Sequence, residues 1–284
     1  MKIIIVSGLS GSGKSVALHT LEDIGYYCVD NLPISMLERF INEISQATTP
    51  VEGIAVGIDV RNLSVQIEYF GQVLHSLNSQ DIKYQILFLR CNNQTLLKRF
   101  SETRRRHPLS NSHTSLQEAI NTEQKLLEPV AGEADLLIDT SNSNVHELRD
   151  LVRQRIEYSQ DKTMSLLFES FGYKRGIPSD ADFVFDARCL PNPYWDESLR
   201  DFTGRDSAVI KFLEKQPQVI AMHKQLMNFL EEWIPEFSQA SHSYLTVAIG
   251  CTGGKHRSVY LTEQLGRYFR KDYPNLVIRH RDIS

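Results

Sequence analysis

The sequence is poor in the features that mark secreted, membrane-spanning or zinc-binding proteins. Its four cysteines are widely scattered over 284 residues, so neither a C-x-x-C zinc pair nor a disulfide framework is indicated. The apolar run in MKIIIVSG is too short for a signal peptide, and no run approaches the roughly 20 residues that span a bilayer. We therefore expect a reduced, cytoplasmic protein without a membrane role. The cysteines are Cys28, Cys91, Cys189 and Cys251.

A strong excess of one charge is also lacking. The formal net charge is -4, so an anionic partner would have to be met by local clusters of lysine and arginine. Hydrophobic residues make up 41% of the chain, which suits a packed core. The length is enough for one large domain or two ordinary ones. Composition thus predicts a globular protein and leaves its function to the motifs.

What the sequence does contain is a glycine-rich loop between a strand pattern and a helix pattern. The apolar run Ile3–Val6 predicts a buried parallel strand, and apolar residues after the loop recur at helical spacing as far as Gly25. In this context G-x-x-x-x-G-K-S predicts that backbone N–H groups and a helix amino terminus bind the phosphates of a nucleotide. Lys14 would reach the β- and γ-phosphates, and the Ser15 hydroxyl would bind Mg²⁺; the alternative is an ordinary Gly/Ser-rich turn. The motif comprises Gly8, Leu9, Ser10, Gly11, Ser12, Gly13, Lys14 and Ser15.

Further strand patterns alternate with amphipathic stretches, which predicts a doubly wound parallel sheet of the P-loop, kinase-like kind. Asp59 follows the apolar run Ile54–Ile58, where an acid can hold the metal through water, although aspartate is also common where strands end. Asp30 and Asn31 follow another strand and either face the same cleft or form a turn. The other predicted strands are Tyr26–Val29, Ile86–Leu89 and Leu136–Ile138.

A basic segment, KRFSETRRRHPLS, lies between two of these strands. Its five cations stand against a single acid, Glu102. P-loop kinases close a basic lid over the transferring phosphate, which is one interpretation. Contact with RNA phosphates and an ordinary solvated helix face are the other two. The cations are Lys98, Arg99, Arg104, Arg105 and Arg106.

The alternation of strand and helix pauses at the polar run Tyr158–Thr163, so we predict two domains, residues 1–157 and 163–284. The second does not continue the nucleotide-binding pattern. Its strand pattern Tyr244–Ile249 leads into CTGGKHRS, and a helix pattern then runs from about Ser258 to Lys271. The second domain therefore carries a loop of its own between a strand and a helix.

This second loop has the C-x-x-x-x-x-R spacing of a cysteine phosphatase from Cys251 to Arg257. Gly253 and Gly254 free the backbone to bind phosphate, and the helix amino terminus would also favour a thiolate. A phosphatase further needs a general acid, and spacing selects none of the available aspartates. Phosphate binding without chemistry is favoured over catalysis, and a structural cysteine is the third interpretation. The aspartates are Asp186, Asp196 and Asp201.

Residues 255–284 are locally basic, with seven lysines and arginines against three acids. Arg267, Arg270 and Lys271 lie at i, i+3 and i+4 and would share one helix face. Such a face is typical of nucleic-acid binding, although a solvated face explains it equally well. Tyr260 and Tyr268 either stack on bases or pack in the core. The cations are Lys255, Arg257, Arg267, Arg270, Lys271, Arg279 and Arg281.

Long sequence blocks extend throughout nearly the whole chain, and they read GLSGSGKSVAL, EDIGYYCVDNLP, IDVRN, FESFGYKRGIP, DADFVFDARCLPNP and YLTVAIGCTGGKHRSVY. Together these blocks resemble the RapZ/YvcJ family. The resemblance implies an RNase adapter that binds the small regulatory RNA GlmZ, presents it to RNase E and so controls synthesis of glucosamine-6-phosphate. It also implies a homo-oligomer, and we expect at most weak NTPase activity.

The resemblance implies ligands as well. ATP would bind at the first loop and GTP at the D-V-R-N motif formed by Asp59, Val60, Arg61 and Asn62, with Mg²⁺ at Ser15 and Asp59. The C-terminal domain, similar to half of a phosphofructokinase, would bind RNA and sense glucosamine-6-phosphate. The predicted phosphate site comprises Asp186, Arg188, Tyr194, Cys251, Thr252, Gly253, Gly254, Lys255, His256 and Arg257. The predicted RNA surface comprises Lys174, Arg175, Arg267, Arg270, Lys271, Arg279 and Arg281.

Two departures from the family pattern modify these expectations. Tyr194 stands where the enterobacterial adapter has histidine, and because tyrosine carries no positive charge we expect weaker phosphate affinity. The sequence reads RHRDIS where that adapter has a lysine- and arginine-rich tail, so we expect a flatter salt dependence of RNA binding. The competing hypotheses are a P-loop small-molecule kinase or NTPase and, third, a cysteine phosphatase at Cys251.

Overall fold

The computed structural model describes residues 2–45, 53–63, 67–80, 82–111, 113–157, 164–240 and 242–283. The chain divides into two compact units, residues 1–153 and 154–284. The predicted boundary segment Tyr158–Thr163 lies outside the described residues. Within the described ranges, no helix combines the length and apolar character needed to cross a bilayer.

The first unit is built on five parallel strands in the order β2-β3-β1-β4-β5. The strands are β1 Lys2–Gly8, β2 Tyr26–Val29, β3 Gly53–Gly57, β4 Tyr84–Arg90 and β5 Leu136–Asp139. The helices are α1 Lys14–Asp23, α2 Leu37–Ser45, α3 Val60–Leu63, α4 Ile67–Ser79, α5 Asn93–Thr103, α6 Leu116–Gly132 and α7 Val145–Glu157. The division between the units falls within α7.

The central strand β1 places the first loop at one edge of this sheet. Its residues Ile3–Val6 are buried on both faces, which is why the run is apolar without alternation. In register, Val6 lies beside Gly57 of β3 and Leu87 of β4. Because parallel strands end at the same edge, the segments that follow β1, β2 and β3 meet there. The predicted α/β fold with a parallel sheet is confirmed.

The second unit has a four-stranded parallel sheet in the order β7-β8-β6-β9. The strands are β6 Ser165–Gly172, β7 Phe183–Asp186, β8 Tyr244–Cys251 and β9 Val277–His280. The helices are α8 Ser207–Glu214, α9 Pro217–Gln239 and α10 Arg257–Phe269, and 3-10 turns span Tyr173–Arg175 and Pro193–Trp195. Strands β6 and β8 are buried along their whole lengths. The loop that follows β8 therefore rises from the centre of the sheet.

Helix α10 ends two residues earlier than the sequence pattern predicts. Its last residue is Phe269, and Arg270 forms the cap, so Lys271 lies beyond the helix. The N–H groups of Asp272 and Tyr273 both donate to the Phe269 carbonyl, at 3.1 and 2.9 Å. These hydrogen bonds form a turn that satisfies a carbonyl group at the end of the helix, and this is the physical reason that the helix stops there.

Candidate functional site

The first glycine-rich loop joins β1 to α1 and turns on glycines. Gly11 and Gly13 have φ of 86° and 107°, in the left-handed region that glycine occupies at little cost. Gly13 caps α1, so the N–H groups of Lys14, Ser15 and Val16 have no acceptor within the helix. These N–H groups and the helix dipole together form an anion-binding site.

Arg99 and Thr140 hold this loop by its carbonyl groups. Arg99 Nη1 donates to the Gly11 carbonyl (2.9 Å), and Thr140 Oγ1 donates to the Ser12 carbonyl (2.8 Å). Arg99 Nη2 also donates to the Thr140 carbonyl (2.7 Å). These bonds fix the backbone of the loop through two of its carbonyl groups. The position of Arg99 in a basic segment did not reveal this bracing role.

A buried carboxylate fixes Ser10. Glu123 of α6 is fully buried and accepts hydrogen bonds from Ser10 N (3.0 Å) and Ser10 Oγ (2.6 Å). Its Oε2 lies 3.0 Å from His107 Nε2, while His107 Nδ1 accepts from the Leu109 N–H (3.1 Å). Since Nδ1 is an acceptor, the imidazole proton lies on Nε2 and is donated to Glu123. Glu123 thereby links the loop to the segment that bears the arginines next to His107.

The loop lines a cleft of about 670 Å³, within the range of small-molecule sites. Asp30 and Asp59 both line it, so the two strand-end acids face one cleft. Asn31 follows in a left-handed conformation (φ 58°) outside the lining. Arg105 and Arg106 line the cleft as well. The basic segment thus contributes to the walls of the cleft.

Two cations hold Asp59 at the floor of the cleft. Arg61 donates its backbone N–H to Oδ1 and its Nε to Oδ2, both at 2.9 Å, and Lys14 Nζ lies 3.7 Å from Oδ2. Burial alone would raise the pKa of Asp59, but the bonds from Arg61 and the charge of Lys14 outweigh it and lower the pKa. Asp59 is therefore a carboxylate, as a metal ligand has to be.

The remaining two residues of the D-V-R-N motif do not both face the cleft. Val60 is fully buried in the core of the unit, and the side chain of Asn62 lies outside the described residues. The motif therefore contributes Asp59 and Arg61 to the same cleft as the glycine-rich loop.

The cleft fits a nucleotide with Mg²⁺. Loop N–H groups and the Lys14 ammonium match phosphate oxygens. Mg²⁺ keeps several waters and takes few protein ligands beside substrate phosphates, so the Ser15 hydroxyl and Asp59 are sufficient donors. Bound there, the metal would neutralise phosphate charge.

In the second unit, the loop after β8 points some of its backbone N–H groups at the sulfur of Cys251. Cys251 Sγ lies 3.1 Å from Ser258 Oγ and is almost fully buried. Burial alone would raise the pKa of Cys251, but hydrogen bonds from Ser258 and from the Gly254 N–H, with the charge of Arg257, lower it. The loop therefore favours a thiolate, although two of its N–H groups are engaged by that sulfur.

The cations of this loop are partly engaged in holding the protein. Arg257 Nη1 donates to the carbonyls of Arg188 and Leu190, both at 2.8 Å, and Lys255 Nζ donates to the Arg200 carbonyl (3.1 Å). Among the described residues, the buried Nε of Arg257 and Nε2 of His256 have no hydrogen-bond partner. Burial and the charge of Lys255 lower the pKa of His256, so it adds no positive charge at neutral pH.

The other residues of the predicted phosphate site differ in their contacts and in their solvent exposure. Asp186 accepts hydrogen bonds from Arg188, whose guanidinium lies 3.8 Å from the centre of the Tyr173 ring. Tyr194 is 47% exposed, with the Arg200 guanidinium 5.0 Å from its ring centre. Thr252 and Gly253 are exposed.

Asp282 closes the other side of this loop, which the sequence pattern did not predict. It accepts hydrogen bonds from the Gly172 N–H (2.5 Å) and from Arg175 Nη1 (3.1 Å). Its side chain lies against Gly254, where a Cβ would come within 2.8 Å of Oδ2. No sequence motif marks Asp282, because its hydrogen-bond partner Gly172 lies 110 residues away along the chain.

The predicted RNA-binding cations fall into separate groups. Arg267, Arg270 and Lys271 are exposed at and just beyond the C-terminal end of α10, whereas the second loop lies at its N-terminal end. Arg279 lies 3.4 Å from Glu169, and Arg281 donates to the Gly172 (3.2 Å) and Gly176 (2.7 Å) carbonyls. Lys174 is exposed and Arg175 pairs with Asp282.

The two tyrosines weighed as base-stacking residues are used in packing. Tyr260 is buried in the core of the second unit. The Tyr268 hydroxyl donates to Glu231, and its ring packs against Phe269. Core packing is therefore what the structure has for Tyr260, whereas Tyr268 is only partly buried against that core.

Comparison with known proteins finds a matching family model for each of the two units. Residues 1–160 match the model of the RapZ-like N-terminal domain, and residues 164–284 match that of the RapZ C-terminal domain. A nucleotide-binding protein of Marinobacter nauticus is 51% identical over 100% of this chain and 97% of its own. One of Hahella chejuensis is 50% identical over 100% of both chains. A shikimate kinase structure from Bacteroides thetaiotaomicron gives a TM-score of 0.34 at 13% identity, over 55% of this chain and 98% of that one, too low to carry an argument.

Proposed function

The chain belongs to the family that combines the RapZ-like N-terminal domain with the RapZ C-terminal domain, and from this premise we propose that it is a nucleotide-binding RNA adapter. In this role it binds a GlmZ-like small RNA, presents it to RNase E and regulates synthesis of glucosamine-6-phosphate. It acts in the cytoplasm as a homo-oligomer. The family match over the whole chain supports these assignments, and full-length relatives are named nucleotide-binding proteins.

The observation that carries nucleotide binding is the orientation of the first loop. Its Gly11 and Ser12 carbonyls are bound by Arg99 and Thr140, and the loop leads into α1, whose first N–H groups have no acceptor within the helix. Because Asp59 and Arg61 line that same cleft, the proposed ATP and GTP sites are one site. The two nucleotides therefore compete, with Mg²⁺ bound alongside.

The test of this site is the Lys14→Ala variant. We expect nucleotide affinity to fall roughly 10- to 100-fold, because a hydrogen bond between charged groups is removed from a site shielded from water. Titration calorimetry with Mg-ATP measures this decrease, and competition by GTP tests the single site. The exposed Lys125→Ala on α6 is the matched control. Equal affinity in both variants would contradict the proposal.

We assign sugar-phosphate binding to the second loop. Thr252 and Gly253 of this loop are exposed, and the loop leads into the N-terminus of α10, where backbone N–H groups favour an anion. The phosphatase alternative is less favoured, because Cys251 is 3% exposed and Arg257 Nη1 binds backbone carbonyls. Full phosphatase activity in Cys251→Ser would eliminate that alternative.

RNA binding is assigned to the exposed cations at the end of α10. We expect Arg267→Ala with Arg270→Ala to weaken RNA binding and to lower the slope of log affinity against log salt by about one for each cation that pairs with a phosphate. Filter binding of a small RNA at several salt concentrations measures the slope. Lys211→Ala with Lys224→Ala removes the same charge from exposed positions of α8 and α9. If both double variants reduce affinity equally, the α10 surface is not the RNA site.

A further inference from the structure

The cleft proposed to bind the nucleotide contains carboxylates that phosphate binding alone does not require. Among its described lining residues are two carboxylates, Asp30 and Asp59, and no histidine. Asp59 accepts three hydrogen bonds from Arg61 and lies beside Lys14, so its oxygens are directed to cations. Two carboxylates in different environments at one site are typical of divided roles in catalysis.

Asp30 lines the same cleft as Asp59, but it is not held by Arg61 and Lys14 in the way that Asp59 is. Its Oδ1 lies over Gly57 at the end of β3, where no side chain would fit, and Asp30 is exposed to the cleft. Asp30 and Lys14 line the same cleft, and the charges of Asp59 and Asp30 oppose the burial that lowers the pKa of Lys14. A carboxylate there has the freedom to accept a proton.

No other described residue of the cleft is suited to that task. His107 is fully buried with both ring nitrogens in hydrogen bonds, and Glu123 is engaged by Ser10 and His107. The remaining polar lining residues are hydroxyls, Asn144 and cations, none of which is a general base near neutral pH.

We propose that Asp30 is the general base of a phosphoryl-transfer reaction in this cleft. The hydroxyl oxygen of water or of a small alcohol attacks the γ-phosphorus of a bound nucleoside triphosphate. The bond from that phosphorus to the bridging oxygen breaks, the nucleoside diphosphate leaves with the electron pair, and Asp30 takes the proton of the attacking hydroxyl. This inference rests on the nucleotide site proposed above.

The charge of the cleft indicates which kind of alcohol would serve as the phosphate acceptor. Five cations line the cleft against two carboxylates, an excess that favours an acceptor with an anionic group in addition to its hydroxyl. sn-Glycerol 3-phosphate and glycerol therefore form a matched pair of probes. The cations are Lys14, Arg61, Arg99, Arg105 and Arg106.

The test separates turnover from binding in the Asp30→Asn variant. We expect kcat for ADP formation from Mg-ATP to fall about 100-fold or more, while the Kd of ATP changes less than about threefold. Asp23→Asn, an exposed carboxylate at the end of α1, is the control and keeps both values. Circular dichroism verifies that the variants are folded.

Labelled γ-phosphate distinguishes the two nucleophiles. Label found in inorganic phosphate alone identifies water, and label transferred to sn-glycerol 3-phosphate but not to glycerol identifies an anionic alcohol. Wild-type kcat in Asp30→Asn, an equal loss of binding and turnover, or a wild-type protein that binds ATP without forming ADP would each overturn the inference. The last result would leave the nucleotide-binding proposal intact, whereas absence of ATP binding would remove both.

Discussion

At the scale of single residues, Glu169 shows how burial changes the chemistry of a charge. It lies in the middle of β6 with 2% of its surface exposed, and its Oε1 is 3.4 Å from Arg279 Nη1. Burial, reinforced by the charge of Asp180, raises the pKa of Glu169 to about 7 against the opposing effects of Arg279 and Arg281. Desolvation outweighs attraction here because the carboxylate has left water almost completely.

This shift predicts a pH-dependent stability of the second unit. The folded-state pKa lies above that of an unfolded glutamate, about 4.3, so the folded state binds the proton more tightly. The resulting stability is present in acid and is lost as the pH rises through about 7. We expect Glu169→Gln to remove this loss, which amounts to at most about 1.4 kcal/mol per pH unit.

Urea unfolding followed by tryptophan fluorescence between pH 5 and 8 measures the effect, and the exposed Glu232→Gln is its control. An unchanged dependence on pH in Glu169→Gln would show that Glu169 is ionised in the folded state throughout this range.

At the scale of elements, both units place a glycine loop between a central strand and a helix, but the loops differ in what holds them. The first is braced through its carbonyls by Arg99 and Thr140. The second is enclosed by Asp282 and Gly172 and directs N–H groups at Cys251. After the first loop, the N–H groups of Lys14, Ser15 and Val16 have no acceptor within α1, whereas the second loop shares its donors with its own thiol.

The enclosure of the second loop makes its two glycines unequal. Gly254 has φ of 68°, and a Cβ there would lie 2.7 Å from Gly172 N. Gly253 has no atom within 4 Å of the corresponding position. We expect Gly254→Ala to destabilise the second unit by roughly 1–3 kcal/mol and to weaken sugar-phosphate binding, because the residue is strained and displaces Asp282.

Gly253→Ala should remain close to wild type in both respects. Thermal unfolding and titration with glucosamine-6-phosphate compare the pair. Equal effects of the two substitutions would mean that Asp282 and Gly172 do not confine the loop.

At the scale of the whole molecule, each unit buries a hydrophobic core of its own. The two tryptophans of the chain, Trp195 and Trp233, both belong to the second unit. Tryptophan fluorescence therefore reports on the second unit alone, whereas calorimetry detects both. This distribution allows their stabilities to be measured separately in the intact chain.

We expect Mg-ATP to stabilise the first unit selectively. At a concentration 100 times Kd the gain is roughly 2.7 kcal/mol, which corresponds to a rise in Tm of roughly 5–10 °C for a unit of this size. Differential scanning calorimetry should show one transition that moves and one that does not, and the fluorescence transition should stay in place. Equal movement of both would show that the two units unfold as one.

The sequence by itself determined the strands, the glycine loops and their order. Ile3–Val6, Tyr26–Val29 and Tyr244–Ile249 are strands because their apolar character is a local property, and each loop follows from the residues beside it. For Asp30 the sequence left a place at the cleft and a role in a turn equally open, and the structure has it in the lining of the same cleft as Asp59.

Only the tertiary structure decided which charged residues face a ligand. Arg99, Arg257 and Arg281 resemble the other cations in sequence, yet their guanidinium groups bind backbone carbonyls. Glu123 binds Ser10, which is 113 residues away along the chain, and Asp282 binds Gly172, which is 110 residues away, while it lies against Gly254 of the second loop. Such interactions are made by the packing of whole elements, and no pattern among neighbouring residues encodes them.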